Sequence, residues 1–186
     1  MESKIIIGII GKNASGKTTV TKYLKQKYGA ASFRFSDPLN DILKRLYLPA
    51  TRANFQMLST IVRQNFSEDI LSRAIAEDAR KAETRIVVAE GVRRPTDITY
   101  LKEIHGFVLL ALSTEAKIRF ERLRGRHEKP DDTSKTWGEF LKEENQESEQ
   151  KIDEIAAKAD FTLNNNGNVE NLYRQIDEAV SKIQTP

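Results

Sequence analysis

Short apolar runs alternate along the chain with stretches whose apolar residues recur every three or four positions. Lys4–Ile10 (KIIIGII) is β-branched and almost uninterrupted, which predicts a strand covered on both faces. From Gly16 to Tyr28 the residues Val20, Leu24 and Tyr28 stand four apart and predict a helix stopped by Gly29. Ser32–Phe35 reads as a short strand. Three helical stripes follow: Leu39, Ile42, Leu43 and Leu46, ended by Pro49; then Phe55, Leu58, Ile61 and Val62; then Ile70, Leu71, Ala74 and Ile75. Arg85–Ala89 and Gly106–Leu112 are further strands, with Ile98, Leu101 and Ile104 between them suggesting a crossover helix. Thr114 to Arg126 is helical, with Ser113 or Thr114 as its cap. The polar stretch Gly125–Trp137 reads as a loop, Asp160–Leu163 as a last short strand, and Val169 to Ile183 as a long final helix. Five strands separated by helices predict a parallel sheet with helices on both faces, a three-layer α/β/α fold. There is no internal repeat and no low-complexity segment.

At 186 residues the chain is sized for roughly one domain. Its 39% apolar and 31% charged residues fit neither a membrane protein nor global disorder. No apolar run approaches the ~18 residues of a membrane span. Ile5–Ile10 is too short for a secretory leader. Without cysteine there is no disulfide framework, thiolate zinc site or cysteine nucleophile, and the cytoplasm is the expected compartment. Lys and Arg number 30 against 27 Asp and Glu, leaving +3. The basic residues fall in short, specific places, which suits a pocket for a small polyanion better than a nucleic-acid surface. Neither a nucleic-acid nor a membrane partner is expected, and a monomer or homodimer is.

The chemistry starts at Gly11-Lys12-Asn13-Ala14-Ser15-Gly16-Lys17-Thr18, which matches G-x-x-x-x-G-K-[ST] between a predicted strand and a predicted helix. Backbone N–H groups of such a loop, with the positive end of the following helix, wrap a phosphate. Gly11 and Gly16 suit close approaches or backbone angles that a side chain obstructs. Asn13, Ala14, Ser15 and Thr19 complete the candidate nucleotide-binding segment. Lys17 is expected to reach the β- and γ-phosphates of ATP, and Thr18 to hold Mg²⁺.

The chain has no guanine-reading Asn-Lys-x-Asp segment, and a AAA+ or helicase-type motor generally uses a longer chain. With an arginine-rich helix in its second half, the sequence resembles the nucleoside monophosphate kinase family over nearly its whole length. Phe35-Ser36-Asp37-Pro38-Leu39 is similar to the segment after the second strand of phage-type deoxynucleoside monophosphate kinases. Ala89-Glu90-Gly91-Val92-Arg93-Arg94-Pro95 resembles the strand-three element of those kinases and of archaeal adenylate-kinase-related proteins. The order Arg119–Arg126, Asp131-Asp132, Trp137, Phe140, Ala159-Asp160-Phe161 and Asn166-Gly167 is similar to that archaeal group and, more loosely, to dephospho-coenzyme A kinases.

The resemblance implies an ATP-dependent kinase that moves the γ-phosphoryl to a (deoxy)nucleoside monophosphate. Its alternatives are a dephospho-coenzyme A kinase and a nucleotide-binding regulator with slow ATPase activity. It implies a core of residues 1–36, 85–124 and 159–186, acceptor-binding helices at 37–84 and a lid at about 125–137. Arg119, Arg122 and Arg126 share one helix face, and the resemblance puts Arg122 and Arg126 on the transferring phosphate; a solvated basic face has the same spacing. Arg93 is expected at the acceptor phosphate, Arg63 in the region covering the acceptor, and Glu90 beside the metal. Asp37 is expected to orient the acceptor or take its proton, although Asp before a helix also serves as a cap. Asn166 and Gly167 are expected against the adenine, though Asn and Gly equally suit a turn there. His105 reads as a turn residue, His127 as surface, Trp137 as a packing anchor, and Lys142–Lys151 as a solvated helix face.

Overall fold

The computed structural model describes residues 4–126, 135–144 and 147–184. The sheet is parallel throughout. Its strands β1 (Ile5–Ile10), β2 (Ala31–Arg34), β3 (Ile86–Glu90), β4 (Phe107–Ser113) and β5 (Phe161–Asn164) lie in the order β2-β3-β1-β4-β5. All six residues of β1 are buried, as its unbroken apolar run requires of a central strand. Alternate residues feed two separate cores. Ile6 and Ile10 join Leu71, Ile75, Ile152 and Ile155 on one face, while Ile5, Ile7 and Ile9 join Val20, Leu24, Leu172 and Ile176 on the other.

The first core is covered by α4 (Ile70–Lys81) and α7 (Glu147–Ala156), the second by α1 (Lys17–Tyr28) and α8 (Val169–Gln184). The predicted stop of α1 is met: Gly29 adopts φ 64°, and its N–H reaches the Leu24 carbonyl region through the cap. α2 (Asp37–Arg45) adds Leu39 to the first core and α3 (Arg52–Asn65) packs Phe55, Leu58 and Val62 against it, while α5 (Ala116–Arg126) and α6 (Trp137–Glu144) follow β4. Trp137 stacks on Phe140 with ring centroids 5.4 Å apart and meets Phe120 edge-on, so it anchors α6 to α5.

One predicted element is corrected. Ile98, Leu101 and Ile104 belong to no α-helix: a 3₁₀ turn covers Pro95–Ile98, and turns carry the chain to Gly106. Spacings of three, without a residue at four, suit three residues per turn, and Ile104 and Phe107 donate to the carbonyls of Leu101 and Ile104. Ile98 and Leu101 are still buried, so the apolar signal was real and only its period differed. His105 lies in this turn and is exposed.

The chain leaves β1 toward β2 and β3 on one side and continues to β4 and β5 on the other. The carboxyl ends of the strands beside β1 therefore form a topological switch point, the place where open α/β sheets bind ligands.

Candidate functional site

The loop from Gly11 to Gly16 leaves β1 at that switch point and enters α1. Ala14 has φ 58° and Gly16 has φ 102°. Left-handed residues alternating with ordinary ones turn successive N–H groups to one side, the geometry of an anion nest. Gly16 was expected to need this freedom. A non-glycine at Ala14 was not, and an uncommon left-handed alanine marks local strain in the loop. Lys17 opens α1 and donates from Nζ to the carbonyls of Gly11 (2.6 Å) and Lys12 (2.9 Å), bridging the loop's mouth. Thr18 is exposed and Thr19 half-buried, with the Thr19 N–H on the Gly16 carbonyl at 3.0 Å. Ser15 is buried, and its Oγ has no hydrogen-bond partner among the described residues.

Three segments brace the loop. Asn165, directly after β5, donates from Nδ2 to the Ser15 carbonyl at 2.8 Å, and Thr114, directly after β4, donates to the same oxygen at 3.1 Å. Arg122 on α5 donates from Nη2 to the Asn165 carbonyl at 3.0 Å, while its buried Nη1 has no partner among the described residues. Arg119 is buried and donates from Nε to the Thr114 carbonyl (2.9 Å) and from Nη1 to that of Asn13 (3.5 Å). Its guanidinium also forms a two-pronged pair with Glu144 on α6, Nη1 to Oε1 at 2.6 Å and Nη2 to Oε2 at 2.5 Å. Lys12 adds an ion pair with Asp153 of α7 at 2.8 Å. Glu144 departs from the expected solvated face because an arginine buried next to the loop needs a counter-charge. Arg124 is exposed and packs over Phe120. Arg126 ends α5, and its side chain lies outside the described residues, as do His127, Asp131 and Asp132 of the expected lid.

The ends of β2 and β3 are assembled from charge pairs. Glu90, buried at the end of β3, pairs with Arg34 Nε at 3.2 Å. Asp37 begins α2, and its Oδ2 accepts the Arg34 N–H at 2.7 Å. Arg93 is exposed at the rim of the β3 end. Arg94 pairs with Glu68 at 3.2 Å. Arg63, expected in the region covering the acceptor, is held inside the fold. It is buried, donating from Nη2 to Asp97 Oδ1 at 2.9 Å and from Nη1 to the Glu68 carbonyl. Asp97 Oδ2 in turn accepts the N–H groups of Arg93 and Arg94, both at 2.9 Å. Sequence reading missed Asp97, although its place three residues after Arg94, behind Pro95, is a capping-box position.

Beyond β5, Asn166 Oδ1 accepts the Glu115 N–H at 2.8 Å. Gly167 lines a cavity of about 610 Å³ with Asn168, Glu170, Asn171 and Arg174. Among the described residues no cluster of three or more His, Cys, Asp or Glu side chains is placed to hold a metal ion.

A family model described as an AAA domain matches residues 7–153. A UPF0200 protein of Pyrococcus horikoshii is 30% identical over 184 residues, spanning 96% of this chain and 97% of that protein. The chain belongs to the UPF0200 family. A UPF0200 protein of Staphylothermus marinus is 28% identical, across 96% of this chain and 92% of its own. Among solved structures, the shikimate kinase of Bacteroides thetaiotaomicron superposes with a TM-score of 0.66 at 16% identity, covering 97% of this chain and 98% of that one. A gluconokinase of Sinorhizobium meliloti gives 0.55 at 17% identity, with 98% and 94% covered. The expectation against a AAA+ motor rested on length, and this UPF0200 chain does match the full length of these kinase folds while also matching an AAA-domain model. At such identities the shared property is the fold: a five-stranded parallel α/β sheet with a phosphate-type loop after its first strand. Among the described residues no helix is long and apolar enough to cross a membrane.

Proposed function

We propose that this UPF0200 chain is an ATP-dependent phosphotransferase that uses Mg²⁺ and delivers the γ-phosphoryl of ATP to a phosphate-bearing nucleotide acceptor, a (deoxy)nucleoside monophosphate. The observation that carries the reading is the strained nest at Ala14 and Gly16, with the Lys17 ammonium bonded across the loop and Arg122, whose buried Nη1 has no partner among the described residues, linked to it through Asn165. A loop that holds left-handed backbone angles beside a buried donor with no partner among the described residues is built for an anion.

The residues fit the cofactor. A Cβ on Gly16 would stand 2.2 Å from Asn165 Nδ2, and one on Gly11 2.6 Å from Ser15 Oγ, so the loop closes around its own backbone donors only with glycine there. Bound Mg²⁺ would neutralise phosphate charge. With no carboxylate cluster among the described residues, the Thr18 hydroxyl would hold it, with Glu90 acting through water. Lys17 and Arg122 would hold the donor phosphates, Arg126 the group in transfer, and Arg93 the acceptor phosphate. Asn166, and Gly167 in the lining of the 610 Å³ cavity, would meet the adenine.

A monophosphate acceptor needs no general base, because its oxygen is already a nucleophile; positioning and charge neutralisation supply the acceleration. In this reading Asp37, whose Oδ2 accepts the Arg34 N–H, holds the turn from β2 into α2. Arg63, spent on Asp97, takes no acceptor role in this reading. The test is ADP formation from ATP and Mg²⁺ with a panel of ribo- and deoxyribonucleoside monophosphates and dephospho-coenzyme A. Turnover that requires one monophosphate supports the proposal. Turnover only with dephospho-coenzyme A, or equal turnover with no acceptor, overturns it.

A further inference from the structure

Asn165 is 6% exposed and carries no charge, yet three parts of the molecule meet on it. Its backbone N–H bonds to the Ser113 carbonyl at 2.9 Å, extending the β4–β5 ladder by one rung and fixing where its side chain starts. Its Nδ2 then reaches the Ser15 carbonyl, and its own carbonyl receives Arg122. The amide occupies the space that a side chain at position 16 would take. Glycine at 16 therefore meets two needs at once: the φ of 102° and room for this amide.

The consequence follows from the planarity of the peptide bond. In a trans peptide the C=O and the next N–H point in opposite directions. Asn165 and Thr114 hold the Ser15 oxygen from outside the loop, so the Gly16 N–H is turned away from them. A glycine-containing peptide flips readily when nothing holds its carbonyl, and a flipped peptide would present an oxygen to an anion where a donor is needed. The same residue holds Arg122 by one nitrogen, Nη2, and leaves the buried Nη1 as a donor without a partner among the described residues.

We propose that Asn165 is a positioning residue that fixes both the Ser15–Gly16 peptide and Arg122, so that the anion site is assembled before a nucleotide arrives. This rests on the reading of the site as an ATP site. Its signature is the order of two substitutions. Asn165→Asp keeps the shape but replaces the donor facing the Ser15 carbonyl with an acceptor and neutralises Arg122; Asn165→Ala only removes the donor. A residue that merely fills space would tolerate the isosteric change better.

The experiment is calorimetric titration of the full chain with ATP, with and without Mg²⁺, beside melting curves without nucleotide. Asn165→Ala is expected to bind about tenfold more weakly than the native chain, the scale of one lost hydrogen bond to a buried carbonyl, and Asn165→Asp more weakly still. Thr114→Val, which removes the second donor to the same oxygen, is expected to weaken binding a few-fold in the native background and more than that beside Asn165→Ala. If Asn165→Ala melts before it can be titrated, Thr114→Val decides, and unchanged affinity overturns the proposal. Native-like affinity in both Asn165 variants, while Lys17→Ala and Arg122→Ala bind weakly, overturns the positioning role and leaves the ATP site standing. An Asn165→Asp variant that binds better than Asn165→Ala overturns it too. A native chain that does not bind ATP removes the proposed function and this inference together.

Discussion

Around the loop after β1, the side chains that hold the backbone do so mainly through its carbonyl oxygens. Lys17 bonds to Gly11 and Lys12, Asn165 and Thr114 to Ser15, and Arg122 to Asn165. Around the ends of β2 and β3 the arginines are instead paired with carboxylates: Arg34 with Glu90, Arg63 with Asp97 and Arg94 with Glu68. Arg122, bonded to the neutral Asn165 carbonyl, keeps its charge for an incoming anion, whereas Arg119 at the same loop, paired with Glu144, and the three arginines at the other end have largely spent theirs. The two ends therefore differ in readiness. The first holds donors already aimed, and the second must exchange internal pairs for contacts with an acceptor.

The strongest way to break the comparison is at the buried pair. Asp97→Ala strands the Arg63 guanidinium without a counter-charge and is expected to lower unfolding stability by about 3–5 kcal/mol, read from urea denaturation. A loss below about 1 kcal/mol would mean that the β2–β3 end is not held by this pair. Lys17→Ala is the matching change at the other end. It is expected to cut turnover at least ~10²-fold, equivalent to about 2.7 kcal/mol of barrier, while the urea midpoint moves far less than in Asp97→Ala. Unchanged turnover would remove Lys17 from the phosphate.

A third prediction uses pH. Asp177 on α8 ties down α1 by accepting from Tyr23 (3.0 Å), Tyr28 (2.7 Å) and Lys27 (2.7 Å). Burial alone would raise its pKa, but the bonds from Lys27, Tyr28 and Tyr23 together outweigh burial and hold it below the usual carboxylate value. Its stabilisation is therefore complete above the unfolded-state value and is lost as pH falls through the lower folded one, below about pH 4. Burial, then the bond to Asp177, pushes the Tyr28 hydroxyl up to about 12, so a second loss is expected from about pH 10 to 12 as the unfolded chain ionises first. Stability curves for Asp177→Asn should flatten in the acid window; an unaltered acid limb would place the titration elsewhere. The smallest effect is expected at Arg94→Ala. Its pair with Glu68 is exposed and should be worth about 0–1 kcal/mol, so the urea midpoint should scarcely move; a loss above about 2 kcal/mol would show that the pair holds the β3 end.

The two ends were also unequally legible in the sequence. The first strand, α1 with its glycine stop, and the loop between them are local patterns, and each was read from neighbouring residues alone. The helix predicted over Ile98–Ile104 failed because threefold spacing fits a 3₁₀ turn as well as an α-helical face. Arg63 and Arg119 were harder for a different reason. Nothing within a few residues of either reveals a partner, and the partners lie 34 and 25 positions away.

By itself, the order of apolar residues determined five strands and the covering helices other than α7, and the glycine–lysine motif a phosphate-type loop, because backbone hydrogen bonding and two-sided burial act over short stretches of chain. Only the tertiary structure decided which cations stay available and which are neutralised. A buried charge takes whatever counter-charge or dipole the fold carries to it, and the carboxylates of Asp97 and Glu144 and the neutral amide of Asn165 arrive from segments that composition and spacing cannot bring together.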